Sequence, residues 1–187
     1  DKFSFLEKAN NYVLSSLFQH QTLNYLNSLK GKTKNNKYLI IDSNSWIKGT
    51  HDCIMYAKQN DLEYELVGGL EYKQVLDKLS TAKGIIFMPK GGDTCPRFTI
   101  EAKILDCELI LNENVQHKDE KWFKTADSCL EYMYDRPEVF WQIVEDSWNQ
   151  DLPSTNKQSP TQTFRIITPF YNTEAYIGRT LYSLKRQ

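Results

Sequence analysis

Charge of one sign is what this sequence has least of. Lys and Arg together number 23 and Asp and Glu 24, for a formal net charge of -1. The chain therefore lacks the basic face that binding to a phosphate backbone requires, and nucleic acid is excluded as a partner. Any phosphate must be met locally. Long apolar runs are also missing: no stretch approaches the roughly 20 residues needed to cross a bilayer. The opening DKFSFLEKANNYV lacks the charged-then-apolar layout of a signal peptide. Cysteine is sparse and scattered. Cys53, Cys95, Cys107 and Cys129 show no CxxC spacing, which reads as reduced thiols of a cytoplasmic protein, not a disulfide framework or a zinc site. No structural metal and no cofactor are expected.

What remains is an ordinary globular composition: 187 residues, 40% hydrophobic and 13% aromatic. That length holds one full domain and a remnant. The first residue is Asp, from which we expect a piece cut from a longer chain. After an apolar run over 12–18, Leu23, Leu26 and Leu29 recur at near-helical spacing and lead into the polar break GKTKNNK. Strand-like and helix-like segments then alternate. Strands are predicted over 38–41, 64–67, 84–88 and 108–111, with helices over 48–60, 72–79 and 96–105 between them. Compact βα units of this kind predict an α/β fold, a Rossmann-like doubly wound parallel sheet buried on both faces.

Ligands in such folds sit outside the carboxyl ends of the strands. The polar residues that follow each strand, 42–48, 68–71, 89–93 and 112–117, should therefore share one rim. Past the last strand, a helix over 138–149 carries Phe140, Trp141, Val144 and Trp148 as an apolar stripe, read as core or inter-domain packing. Residues 1–150 thus form the first domain. The Pro-, Ser- and Thr-rich stretch 151–163 is a linker. Residues 164–187 add one strand, 164–168, and one helix start, a β-α remnant too small to fold alone. An isolated strand leaves its amides unsatisfied, so 164–168 is expected to pair with this domain or a neighbour.

The informative segment is GIIFMPKGGDTCPRFTIEAKILDCELILNENV, residues 84–115. An apolar strand ends at Pro89, Gly91 and Gly92 make a turn, Asp93 stands at its exit, and Glu101 lies eight positions on in the next helix. Pro96 suits a first helical turn, with Thr94 or Cys95 able to cap, so the amides near Arg97 and Phe98 should form a positive terminus fit for a diphosphate. Asp93 is placed to accept hydrogen bonds from sugar hydroxyls. Glu101 is placed to take both hydroxyls of a ribose, since a carboxylate accepts two hydrogen bonds at once.

Pro89, Asp93, Glu101 and Ala102 together resemble the strand-Pro-x-x-x-acid-x(7)-Glu-Ala signature of retaining GT-B glycosyltransferases of the family 4, or group 1, type. Upstream, Trp46-Ile47-Lys48-Gly49 resembles the family's Lys-Gly element. The likeness covers roughly residues 10–150, the C-terminal half of that two-domain fold. It implies a nucleotide-diphosphate sugar donor, with Lys48 and Asp93 catalytic and Glu101, Gly91, Gly92, Thr94, Arg97 and Phe98 binding the donor. It also implies retention without a metal and a preceding acceptor domain. A second, shorter likeness covers 164–187: Thr168, Pro169, Tyr171, Asn172 and Glu174 resemble the opening nucleotide turn of a family 2 glycosyltransferase of GT-A fold. Together these imply an enzyme of polysaccharide or glycan synthesis, cytoplasmic or at the inner face of the membrane, inactive as this piece alone.

The pattern departs from the family at several positions. Asp93 stands where Glu is usual, Cys95-Pro96 replaces Phe-Gly, Asp106-Cys107-Glu108 replaces Gly-x-Pro, and Asp42 stands where a basic residue precedes the lysine. These departures motivate the alternative of a degenerate, non-catalytic GT-B domain that scaffolds the downstream transferase. A receiver-like regulator fits less well, because Asp42 has no acidic cluster around it. Two rim residues, Asn44 and His117, are second-rank candidates, and a lone loop histidine is more often solvated than functional. His51, Asp52 and Cys53 are consecutive, point apart on a helix and form no triad.

Overall fold

The computed structural model describes residues 15–93 and 96–150, with side chains to residue 146. The chain divides after Asp151, and every described residue lies in the first of two units. Expectations for Thr94, Cys95, the Trp148 side chain, the linker 151–163 and the segment 164–187, including its 164–168 strand and Pro169, Asn172 and Glu174, fall outside the described residues.

Four short strands, β1 (Tyr38–Ile41), β2 (Tyr64–Val67), β3 (Gly84–Phe87) and β4 (Glu108–Leu111), form one parallel sheet in the order β2-β1-β3-β4. Tyr38 stands opposite Tyr64 on one side and Gly84 on the other, and Gly84 in turn opposes Glu108. The GIIF of β3 is buried throughout, which is why its sequence is continuously apolar instead of alternating. Five helices accompany the sheet among the described residues: α1 (His20–Ser28), α2 (Thr50–Gln59), α3 (Tyr72–Thr81), α4 (Arg97–Ile104) and α5 (Ala126–Gln150).

Successive strand residues face opposite ways. Leu39, Val67, Ile85 and Phe87 enter a large core with Leu23, Leu26, Leu76, Leu79, Ile100, Ile104 and Met133 from α1, α3, α4 and α5. Tyr38, Ile40 and Ile86 enter a smaller one with Cys53 and Ala57 of α2. Helices thus cover both faces, the doubly wound Rossmann-like α/β arrangement that the alternation of segments predicts.

Two helix starts follow from local hydrogen bonding. Glu71 and Gln74 form a reciprocal capping box at α3. Thr125 and Ser128 do the same before α5, with the Ser128 amide donating to Thr125 Oγ1 at 3.1 Å and the Thr125 amide to Ser128 Oγ at 3.2 Å. At the amino ends of the strands, Lys34 Nζ donates to the carbonyls of Leu105 (2.7 Å) and Leu79 (3.3 Å) and ties the ends of α4 and α3 together.

The last helix corrects the sequence reading. It begins at Ala126, not at Glu138, and carries Pro137 in its interior. A proline there removes one backbone bond, yet the upstream turns are held by Ala126, Cys129, Leu130 and Met133, a buried stripe at helical spacing. Downstream, in the stripe read as core or inter-domain packing, Trp141 is 62% exposed and Val144 40%, so these two lie outside this domain's core. The burial that fixes α5 lies before the proline.

Candidate functional site

The chain steps from β1 out to β2, then crosses back past β1 to β3. The strand order therefore reverses between β1 and β3, the point at which ligands of such folds sit in a crevice on the carboxyl side of the sheet. The loop after β1 is pinned by Thr50, whose hydroxyl donates to the Ile41 carbonyl at 2.7 Å. It winds through a 3-10 turn, Trp46–Lys48, into Gly49 at φ 67°. No other residue fits at 49: a Cβ there would lie 1.9 Å from the Met88 carbonyl oxygen. That close approach, with the Lys90 amide donating to the Ile47 carbonyl at 2.8 Å, presses the β1 loop onto the β3 loop.

Lys48 and Asp93 meet as a result. Lys48 Nζ lies 3.3 Å from Asp93 Oδ2, with the side chains 31% and 23% exposed, and 5.8 Å from the centre of the Phe87 ring. Asp93 is fixed from the other side. Its amide donates to the Asn114 carbonyl at 2.8 Å, and its carbonyl accepts the Gln116 amide at 3.2 Å, forming a bridge to Val115. The Asn112 and Asn114 side chains both donate to the Pro89 carbonyl, at 3.0 and 2.8 Å. Gly91 packs near Ile47, and Gly92 near the Gln116 side chain. Beside the pair, Lys90 bonds Asp52 of α2 at 2.7 Å.

A second cluster sits at the amino end of α4, also on the carboxyl side of the sheet. Pro96 is the cap residue, in extended conformation and with no side-chain cap bond. Arg97 and Phe98 open the helix, in the turn whose amides have no intrahelical acceptor. Glu101, one turn in, is 3% exposed. The Tyr72 hydroxyl donates to its Oε1 at 2.6 Å, and Arg97 Nε stands 3.6 Å from the same oxygen. Arg97 also donates to the Tyr72 hydroxyl at 3.1 Å, while its guanidinium lies 4.5 Å from the Phe18 ring and 5.3 Å from the Tyr72 ring. Burial pushes the Glu101 carboxyl up to about 7, against the opposing pull of Tyr72 and Arg97. Burial, with Glu101 beside it, holds the Tyr72 phenol well above its ordinary range.

The two clusters are linked by an aromatic pair, Phe87 under Lys48 and Phe98 next to Arg97, at 6.4 Å edge to face. Lys48, Asp93, Gly91 and Gly92 thus come together at the β1/β3 crevice, and Arg97, Phe98 and Glu101 at the α4 terminus. Asn44 is exposed on the β1 loop, and His51 is exposed on α2.

His117 is a correction. Its place after β4 predicts a solvated rim position, but it is 4% exposed, stacked on Trp122 at 5.3 Å and edge-on to Phe123 at 4.4 Å. The aromatic residues of the 3-10 turn Lys121–Phe123 fold over it. Thr99 gives its one hydroxyl hydrogen to the Pro96 carbonyl at 2.8 Å and sits 3.1 Å from His117 Nε2. His117 buttresses the start of α4 from within.

Tyr72 is the site residue that sequence reasoning missed. The polar rim segment after β2, 68–71, stops one residue short of it, although Tyr72 stands in the sequence just beyond Gly68-Gly69.

A separate open groove of about 610 Å³ runs between residues 17–21 and Pro137, Phe140 and Trp141 of α5. Neither Lys48, Asp93 nor Glu101 lines it, so its size does not make it the site. Among the described residues there is no group of three His, Cys, Asp or Glu placed to hold a metal ion, and no helix is long and apolar enough to cross a membrane. Comparison of the chain with protein-family models, with curated proteins and with solved structures gives no match.

Proposed function

We propose that this domain binds a nucleotide-diphosphate sugar across the carboxyl ends of β1 and β3, as the donor half of a GT-B glycosyltransferase of the family 4 type. The observation that carries the reading is the partly exposed Lys48–Asp93 pair at the point where the strand order reverses. An ion pair of that exposure is worth about 1 kcal/mol or less, so a ligand phosphate can take Lys48 from Asp93 at little cost. Asp93 is then free to accept the hydroxyls of the sugar. The first amides of α4 face developing negative charge, and with Lys48 they stabilise the departing diphosphate electrostatically. Asp106 lends support: it holds φ 55° at the position where the family carries glycine, the residue suited to that conformation. By the same resemblance the sugar configuration is retained and a preceding domain supplies the acceptor; by the second, independent likeness residues 164–187 open a GT-A domain of family 2 type, and the two together fit a cytoplasmic, glycan-building enzyme.

Calorimetric titration of the chain with UDP-, GDP- and ADP-sugars tests this. Binding that weakens about tenfold in Lys48→Met, the loss of one charge-assisted hydrogen bond, supports the reading. A second reading has its own observation. The Glu101 carboxyl is covered by Tyr72 and Arg97, with 4% of its side chain exposed, as suits a scaffold that has given up its donor. A folded chain that takes up none of the three sugar nucleotides at millimolar concentration favours that scaffold.

A further inference from the structure

We propose that Lys90 is a second phosphate-binding residue of the crevice. Lys48 and Lys90, on facing loops, take one phosphate group each of a diphosphate, and Asp52 holds Lys90 until the ligand arrives. The inference rests on the donor-binding reading above and specifies the phosphate chemistry of that same site.

A ligand with a pair of charged phosphate groups calls for more than one cation, and the rim offers few. Among residues 42–48, 68–71, 89–93 and 112–117, which follow the strands, Lys48 and Lys90 are the only Lys or Arg. The main chain brings their loops together. The Lys90 amide donates at 2.8 Å to the carbonyl of Ile47, the neighbour of Lys48, and Lys90 belongs to the same turn as Asp93, the partner of Lys48. Its own ammonium is held 2.7 Å from Asp52 in the first turn of α2, with the side chains 45% and 40% exposed. Each crevice lysine is thus held by a carboxylate in a pair that water reaches, an arrangement worth about 1 kcal/mol or less. A lysine ammonium is a compact charge on a flexible stem. Lys90 can therefore exchange Asp52 for a phosphate oxygen while its backbone, which steadies the Lys48 loop, stays in place. A single phosphate group satisfies one lysine, whereas a diphosphate repays the release of both.

The test is calorimetric titration of the full chain, of Lys90→Met, Lys90→Arg and Asp52→Asn, and of the double variant Lys90→Met with Asp52→Asn, using inorganic pyrophosphate, orthophosphate and UDP. Lys90→Met should weaken pyrophosphate and UDP about fivefold, the loss of one partly exposed charge contact, and so narrow the preference for pyrophosphate over orthophosphate. Lys90→Arg keeps the charge and should keep the affinity. Asp52→Asn frees Lys90 and should tighten pyrophosphate by up to about fivefold, while the same change in the Lys90→Met background should tighten it much less. The assignment of Lys90 is overturned, and the Lys48 site stands, if Lys90→Met leaves pyrophosphate and UDP at full affinity while Lys48→Met weakens them. It is overturned equally if Lys90→Met weakens orthophosphate as much as pyrophosphate, or if Asp52→Asn acts alike with and without Lys90. If the unaltered chain binds neither pyrophosphate nor UDP, both readings fall.

Discussion

Replacing Glu101 by glutamine takes a titrating group out of the protein interior and leaves its shape and an acceptor oxygen for Tyr72. The carboxyl sits near 4.5 when exposed and at about 7 in the fold. Because its folded value is the higher one, the folded chain holds a proton that the unfolded chain has released between these two values. Stability contributed by this group is therefore complete below about pH 4.5 and is lost as pH rises through 7. The gap between these two values puts the full loss on the order of 3 kcal/mol. Glutamine cannot lose a proton, so Glu101→Gln should match the unaltered protein near pH 4.5 and exceed its stability by up to about 3 kcal/mol at pH 8. Urea unfolding of both proteins at a series of pH values measures the difference directly, and the other titrating groups cancel in it. A difference that stays flat from pH 4.5 to 8, or that turns against glutamine as pH rises, refutes the argument. It would mean that Arg97 and Tyr72 outweigh burial and that the carboxylate is the preferred form.

Two further substitutions separate the crevice from the core. Gly49→Ala forces a side chain into a left-handed backbone against the Met88 carbonyl; it should cost on the order of 3 kcal/mol by thermal melt and weaken pyrophosphate binding, because Lys48 is carried by the same loop. Met133→Ala opens a hole in a core where that side chain is 0% exposed; it should cost about 3 kcal/mol by urea denaturation and leave nucleotide affinity unchanged.

Much of the sheet was legible because β-branched runs bounded by polar turns have few other uses. Three of the four strand ranges agree residue for residue, and β3 ends at Phe87, one short of the expected Met88. Lys48 and Asp93 could be brought to one rim because a parallel strand delivers its loop to a known end of the sheet. What could not be read depends on contacts between distant segments. His117 looked like a loop residue because Trp122 and Phe123, which bury it, have no periodic signal that points back to it. The first half of α5 was hidden by Pro137, a local stop signal that tertiary packing of Cys129 and Met133 overrides. The sequence pattern puts Glu101 on α4 but gives no sign of its cover, because Tyr72 lies 29 positions away and belongs to another βα unit.

The two clusters differ in what it takes to open them, and on the proposed donor-binding reading that difference orders the events of binding. Lys48 and Asp93 keep roughly a quarter to a third of their side-chain surface in water, so exchanging one for a phosphate oxygen changes little besides partners. Glu101 is nearly sealed, and losing the Tyr72 donor without a replacement leaves a buried oxygen short of a bond, a cost of about 1 to 3 kcal/mol. A phosphate can therefore seat first on the open half. Once seated, the rest of the ligand meets the Tyr72–Glu101 contact as an intramolecular exchange, with the translational cost of association already met. On the proposed donor-binding reading, the β1/β3 side would then set affinity through the phosphates, and the closed half at α4 would set discrimination among ligands. The Phe87–Phe98 contact, 6.4 Å between ring centres, is the apolar floor that keeps the two halves in fixed relation.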